Sequence, residues 1–240
     1  MAYPTFIFGA QRSGTDMVGS VISRCANVEF YNESDSEAFH SFQLRSEETV
    51  TRLVRQSRAV VVLFKCILDS QSSRKLLGLH ESAKAIWLFR PYADVVNSNL
   101  KKFKGHFQDL TDMVHDPSSA GWRVENVAPD DLELVKKFQQ KKVSDASARA
   151  LLWFLRNQLL FQQNLENDPR VLVANYDHLV TDPIYCFARI FDFLGLAFSP
   201  NFVRTVRASS IGKDAGPVID DEIASLCQEM FDRLSRSSAL

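Results

Sequence analysis

The sequence has no surplus of either charge. It carries 28 Lys and Arg against 29 Asp and Glu, for a formal net charge of −1. A general nucleic-acid binder shows a strong basic excess, so any polyanion here must meet a local cluster of cations. Cysteine is scarce, with four residues in 240. Cys25, Cys66, Cys186 and Cys227 form no C-x-x-C pair and no short Cys/His spacing. This argues against a metal site or a disulfide frame and suits a reducing compartment. Long apolar runs are missing too. The longest, 59–64, is far too short to cross a bilayer. The first residues show no charged stretch leading into an apolar one. The expectation is a cytoplasmic protein with no membrane span and no nucleic-acid partner.

What is present is alternation. Short runs rich in Val, Ile and Phe at 3–8, 60–64, 85–89 and 171–174 read as strands buried on both faces. Helical patterns cover 15–24, 47–56, Pro91 to 103, 144–166, 183–194 and 220–235. Strands alternating with helices predict an α/β protein, a three-layer doubly wound parallel sheet flanked by helices. No repeat or linker interrupts residues 1–240, which read as one domain. Residues 104–129 lack periodicity and read as a loop that serves as a lid over an acceptor.

Each of the first three predicted strands runs into a cation. The first leads into Gly9-Ala10-Gln11-Arg12-Ser13-Gly14-Thr15, the second ends at Lys65 and the third at Arg90. Ligands of open parallel sheets bind beyond the carboxyl ends of the strands, so the three side chains should share one rim and one anion. The first loop has phosphate-cradling spacing, in which glycine lets backbone N–H groups approach the anion. It lacks the lysine after its second glycine, and no strand ends in the carboxylate that holds Mg²⁺ in a P-loop NTPase. A rim of cations alone favours metal-independent binding of a nucleotide anion. Taken singly, Lys65 or Arg90 is more often a solvated strand-end charge, and the first loop an ordinary strand-to-helix turn with Arg12 on the surface; the three together are harder to dismiss.

The ordered set resembles the sulfotransferase family that uses 3′-phosphoadenosine 5′-phosphosulfate (PAPS). Arg12-Ser13-Gly14-Thr15-Asp16 is similar to its 5′-phosphosulfate loop, and Arg90 with Ser98 reproduces the spacing of its 3′-phosphate motif. Tyr176 opens a Tyr-acidic-x-Leu pattern, and Phe193-Leu194-Gly195 resembles a further helix end of the family. The resemblance spans residues 6–196 and implies the P-loop NTPase-like sulfotransferase fold. It also implies transfer of a sulfuryl group from PAPS to a hydroxyl, without metal, leaving 3′-phosphoadenosine 5′-phosphate (PAP).

Roles follow from the resemblance. Backbone amides of Ser13, Gly14 and Thr15 hold the 5′-phosphosulfate, with Arg12 and the Thr15 hydroxyl assisting. Arg90 and Ser98 grip the 3′-phosphate, with Tyr176 nearby. Lys65 meets the bridging oxygen as charge develops there. Lys213 adds a 3′-phosphate contact or is a solvated loop lysine. Asp16 departs from the family, which has a hydroxyl residue there. Either its carboxylate points away or donor binding is weakened. The histidine that small-molecule members place two residues after the lysine is Ile67 here. Glu33, twenty residues past Ser13, matches the Glu-based branch and is the candidate base. A solvated loop carboxylate is the plain alternative, and His40, which sits in an apparent helix and is equally a structural residue, is the second candidate. The acceptor stays open among carbohydrates, lipids, small alcohols or phenols, and tyrosyl peptides. A P-loop small-molecule kinase and a catalytically silent nucleotide-binding protein are the competing readings.

Overall fold

Phe6, Ile7 and Phe8 are consecutive and fully buried, which requires a strand covered on both faces. They lie in β1 (Tyr3–Gly9) of a computed structural model that describes residues 2–213 and 215–240. Helix α1 (Thr15–Ile22) leads to β2 (Val28–Tyr31) and a hairpin of β3 (Phe39–His40) and β4 (Gln43–Leu44). Next come α2 (Glu47–Gln56), β5 (Val61–Lys65), α3 (Ser73–Leu77) and β6 (Lys84–Phe89). Helices α4 (Tyr92–Leu100), α5 (His106–His115), α6 (Pro117–Ala120), α7 (Pro129–Lys141) and α8 (Asp145–Gln162) follow. The chain closes with β7 (Val171–Asn175), α9 (Tyr176–Thr181), α10 (Pro183–Phe193) and α11 (Asp221–Ser237).

The main sheet has the order β2-β5-β1-β6-β7, and every pairing in it is parallel. Alternate residues feed two cores. Phe6, Phe8, Phe64, Trp87 and Phe89 point to one face, against Trp153 and Leu160 of α8 and Cys227 of α11. Ile7, Leu63, Ile86 and Leu88 point to the other, against Val18 of α1 and Phe187 and Ile190 of α10. Each large apolar side chain so buried contributes roughly 1.5–3 kcal/mol. Helix starts are capped by side chains that the pattern foretells. Ser46 accepts from the Thr49 amide before α2, and Ser144 from the Ser147 amide before α8.

Three details differ from the sequence expectation. β2 adds an edge strand that the pattern did not reveal, because Glu29 breaks its short apolar run. His40 lies in a β-hairpin rather than a helix, where Ser41 and Phe42 both take positive φ at the turn. The segment 104–129 is not a loop. It contains α5 and α6, with His106, Leu110, Met113 and Ala120 buried.

Candidate functional site

β1 ends at Gly9, where φ is +131° and an added Cβ would sit 2.1 Å from the Leu88 carbonyl oxygen. No other residue fits there. The chain then turns through Arg12 (φ 69°) and Gly14 (φ 93°) into α1. The Ser13 amide is already taken by the Ala10 carbonyl at 3.3 Å. The amides of Thr15 and Asp16, in the opening turn of α1, have no acceptor within the helix. Ser13 is fully buried and its Oγ has no partner among the described residues. Donors without acceptors at a helix start form an anion cradle.

Lys65 closes β5 and is 2% exposed. Its ammonium meets two carboxylates. Asp16 bonds it directly, and Glu33 Oε1 lies 3.3 Å away. Asp16 therefore faces the rim rather than turning from it. Glu33 follows the carboxyl end of β2, so this edge strand brings it to the same rim. Burial raises the Glu33 carboxyl above its ordinary value. Lys65 opposes that rise and Asp16 adds to it. Glu33 Oε2 is buried and unpartnered.

Arg90, beyond the end of β6, stacks on the Tyr176 ring at 4.6 Å. It bonds Asp94 at 2.9 Å and the Ser210 carbonyl, while its Nε is buried without a partner. The Tyr176 hydroxyl bonds Ser210 Oγ at 2.7 Å, and the ring lies so close to Gly14 that a Cβ there would come within 2.2 Å of it. Tyr176 thus braces both the loop and Arg90. Ser98 Oγ accepts from Arg12 Nε at 3.0 Å, which ties the loop to α4.

A cavity of about 360 Å³ gathers these groups. Arg12, Gly14, Thr15, Asp16, Glu33, Lys65, Arg90, Ser98 and Tyr176 all line it. Ser13 lies behind the lining, and its amide is occupied, unlike the arrangement the resemblance implies. Lys213 is exposed and does not line the cavity, whereas Ser210 does. His40 is exposed and also outside the cavity. Met17 and Lys102 line it without having been singled out in the sequence. Among them only Lys102 carries a signal, as a cation just past the helix that bears Ser98. A second cavity of about 350 Å³, walled by Ala2, Pro4, Val50 and Val54, opens near the start of β1, away from the strand ends. Among the described residues, no group of three or more His, Cys, Asp or Glu could hold a metal ion. No helix there is long and apolar enough to cross a membrane.

Comparison with solved structures finds the same doubly wound sheet. The sulfotransferase domain of the Synechococcus PCC 7002 olefin synthase is 16% identical, with a TM-score of 0.56 over 96% of this chain and 95% of that one. A sulfotransferase from Alicyclobacillus acidocaldarius is 14% identical, with a TM-score of 0.55 over 99% and 94%. Mouse sulfotransferase SULT7A1, complexed with PAP, is 16% identical, with a TM-score of 0.51 over 98% and 85%. No curated protein matches by sequence. These likenesses show the fold. A family model described as the sulfotransferase domain matches residues 3–213, and on that match the chain belongs to the sulfotransferase family.

Proposed function

We propose that this sulfotransferase takes its sulfuryl group from PAPS and passes it to a hydroxyl, with Glu33 as base and no metal. The observation that carries this reading is the convergence of Arg12, Lys65, Arg90, Ser98 and Glu33 on one cavity beyond the carboxyl ends of parallel strands. An unpartnered polar atom there fits the donor. Arg90, which lines the cavity, keeps its Nε buried without an acceptor, as suits a group awaiting a phosphate oxygen.

The first-turn amides of α1, with Thr15 and Arg12, hold the 5′-phosphosulfate. Arg90, steadied by Tyr176, and Ser98 hold the 3′-phosphate. Lys213 has no part in this grip. PAPS supplies the sulfuryl group when bound. Glu33 accepts the proton of the acceptor hydroxyl as that oxygen bonds sulfur and the bond from sulfur to PAP breaks. Lys65 stabilises the charge left on the departing oxygen. Asp16 must release Lys65 for that contact, which weakens donor binding. The residues 104–129 cover the acceptor side, and the four cysteines, all free and buried, suit a cytoplasmic enzyme.

Calorimetry with PAP and with ADP, both in EDTA, tests this reading. Tight binding of PAP over ADP is expected, and equal or undetectable binding of both overturns it. The bond between Asp16 and Lys65 favours one other reading, a silent nucleotide-binding member of the fold. Tight PAP binding, no transfer to a broad hydroxyl panel and no effect of Glu33→Gln would support that alternative.

A further inference from the structure

Beside the donor cavity lies a smaller one of about 190 Å³, and Gln11 and Phe103 line both. Its wall is strongly cationic. Lys104, Arg123, Arg149 and Arg156 face it, against the single carboxylate of Asp109. That carboxylate is already engaged, with Arg123 at 3.0 Å and His106 at 3.3 Å.

Arg149 and Arg156 sit seven residues apart on α8, on one face two turns apart. They are 3% and 6% exposed, and neither is ion-paired among the described residues. Their partners are neutral. Arg149 donates to the Gln11 carbonyl at 3.4 Å and, with the Asn99 amide turned to satisfy its neighbours, to Asn99 Oδ1 at 2.9 and 3.1 Å. Arg156 donates to the Ile67 carbonyl at 2.7 Å and to Gln71 Oε1 at 3.1 Å. Gln71 in turn donates to Glu125 at 2.8 Å, so that carboxylate reaches Arg156 only through an amide. Burial lowers Arg149 to about 10 and Arg156 to about 9. Asp69 and Glu125 act on Arg156 and Asp109 on Arg149 only at a distance, and two buried guanidiniums with no carboxylate in direct contact are costly. Such a pair fits an anion that comes and goes.

The wall also carries apolar surface beside Gln11, Asn99 and His106. Trp122 lies between Arg123 and Arg156, at 4.6 and 4.8 Å from their guanidiniums, and Leu152 and Leu155 add carbon surface. Ile67, whose carbonyl holds Arg156, also lines the donor cavity, as Phe103 does. The pocket therefore adjoins the cavity that Lys65 and Glu33 line.

Building on the donor reading above, we infer that the acceptor is a hydroxyl-bearing carboxylic acid, its carboxylate seated among Arg123, Arg149 and Arg156 and its hydroxyl directed to Glu33. The guanidinium forks match a planar carboxylate. Arg149 and Arg156 already spend several donors on carbonyls, which favours a singly charged group over a phosphate.

The test titrates the PAP-saturated protein with 3-hydroxyoctanoate and with 4-hydroxyphenylacetate, each beside its methyl ester. At least one acid should bind about tenfold or more tighter than its ester, the scale of one charge-assisted contact. Arg123→Gln and Arg149→Gln should each narrow that gap. The first variant changes a partly exposed side chain and guards against a folding defect in the second. Equal binding of acid and ester in both pairs overturns the inference and leaves the donor reading intact. A gap that survives both substitutions also overturns it. Failure of PAP itself to bind strikes the donor reading and this inference together.

Discussion

Glu33 Oε1 lies 3.3 Å from the ammonium of Lys65, while the other oxygen of the same carboxylate is buried and unpartnered. One oxygen is anchored and the other is bare, which is the arrangement of a base held in place before its proton arrives. The anchor is also the group assigned to the leaving oxygen, so proton acceptance and charge stabilisation share one ion pair.

The pH profile should report that carboxylate. A protonated Glu33 cannot accept a proton, and burial raises its pKa above the ordinary value. The rate therefore falls as pH drops through that raised value, at a higher pH than a solvated glutamate would give. Glu33→Gln should lower kcat by roughly 100- to 10,000-fold and abolish the acid limb, with PAP affinity little changed. Steady-state rates across pH 4 to 8 check this, and an unaltered acid limb in the variant would assign the proton to another group.

Asp16 faces the cavity and competes for Lys65. Asp16→Thr should tighten PAP binding by about fivefold, on the order of 1 kcal/mol for removal of one like charge near the surface. The gain should shrink as salt is added, because the Asp16 side chain is 69% exposed. Calorimetry at low and high salt reads both effects. Weaker binding by the variant would mean that Asp16 supports the donor site.

Gly14 joins two constraints, φ of +93° and a Cβ position 2.2 Å from Tyr176. Gly14→Ala should abolish measurable PAP binding and cost about 1–3 kcal/mol of stability. Gly195→Ala is the control. Its φ is +64° and nothing lies within 4 Å of the added Cβ, so it carries the backbone strain alone. Thermal unfolding of both variants separates strain from clash, and equal losses would remove Tyr176 from the account.

Asp69 is raised to about 6 by burial, although it accepts the Leu44 amide at 3.1 Å. The folded protein holds this proton to about pH 6, whereas the unfolded chain releases it near 3.8. Stability from this group is therefore fully present below 3.8, declines as pH rises to about 6, and stays at its lower level above that. Asp69→Asn keeps an acceptor for Leu44 and should raise Tm at pH 8, by up to about 3 kcal/mol of stability. At pH 4 the two proteins should melt together. A variant that is destabilised equally at both values would contradict this assignment.

The site was most legible where local backbone geometry dictates residue type. Gly9 and Gly14 are demanded by a carbonyl and a ring that leave no room for a Cβ, and Ser98 by the turn of α4 that faces Arg12. Lys65 could be read because a cation ending an apolar strand has few other places to go. β2 escaped because an edge strand of four residues need not alternate cleanly, and the helices of 104–129 because their apolar positions are few and spaced among polar ones. Arg149 and Arg156 were hidden for the opposite reason. They stand in a helix so apolar that it reads as core, and only their seven-residue interval sets them apart. Ser210, which reaches Tyr176, escaped because a small loop hydroxyl carries no pattern to mark it.

β2 lies at the margin of the sheet, joined to β5 alone, whereas β1 lies at its centre between β5 and β6. The proposed proton acceptor thus follows an edge strand, which frays more easily, and the proposed nucleotide cradle follows a central one. Brief detachment of that border would leave an enzyme that still clasps its nucleotide but cannot turn over, so retention of the donor and the chemistry performed on it can be lost separately.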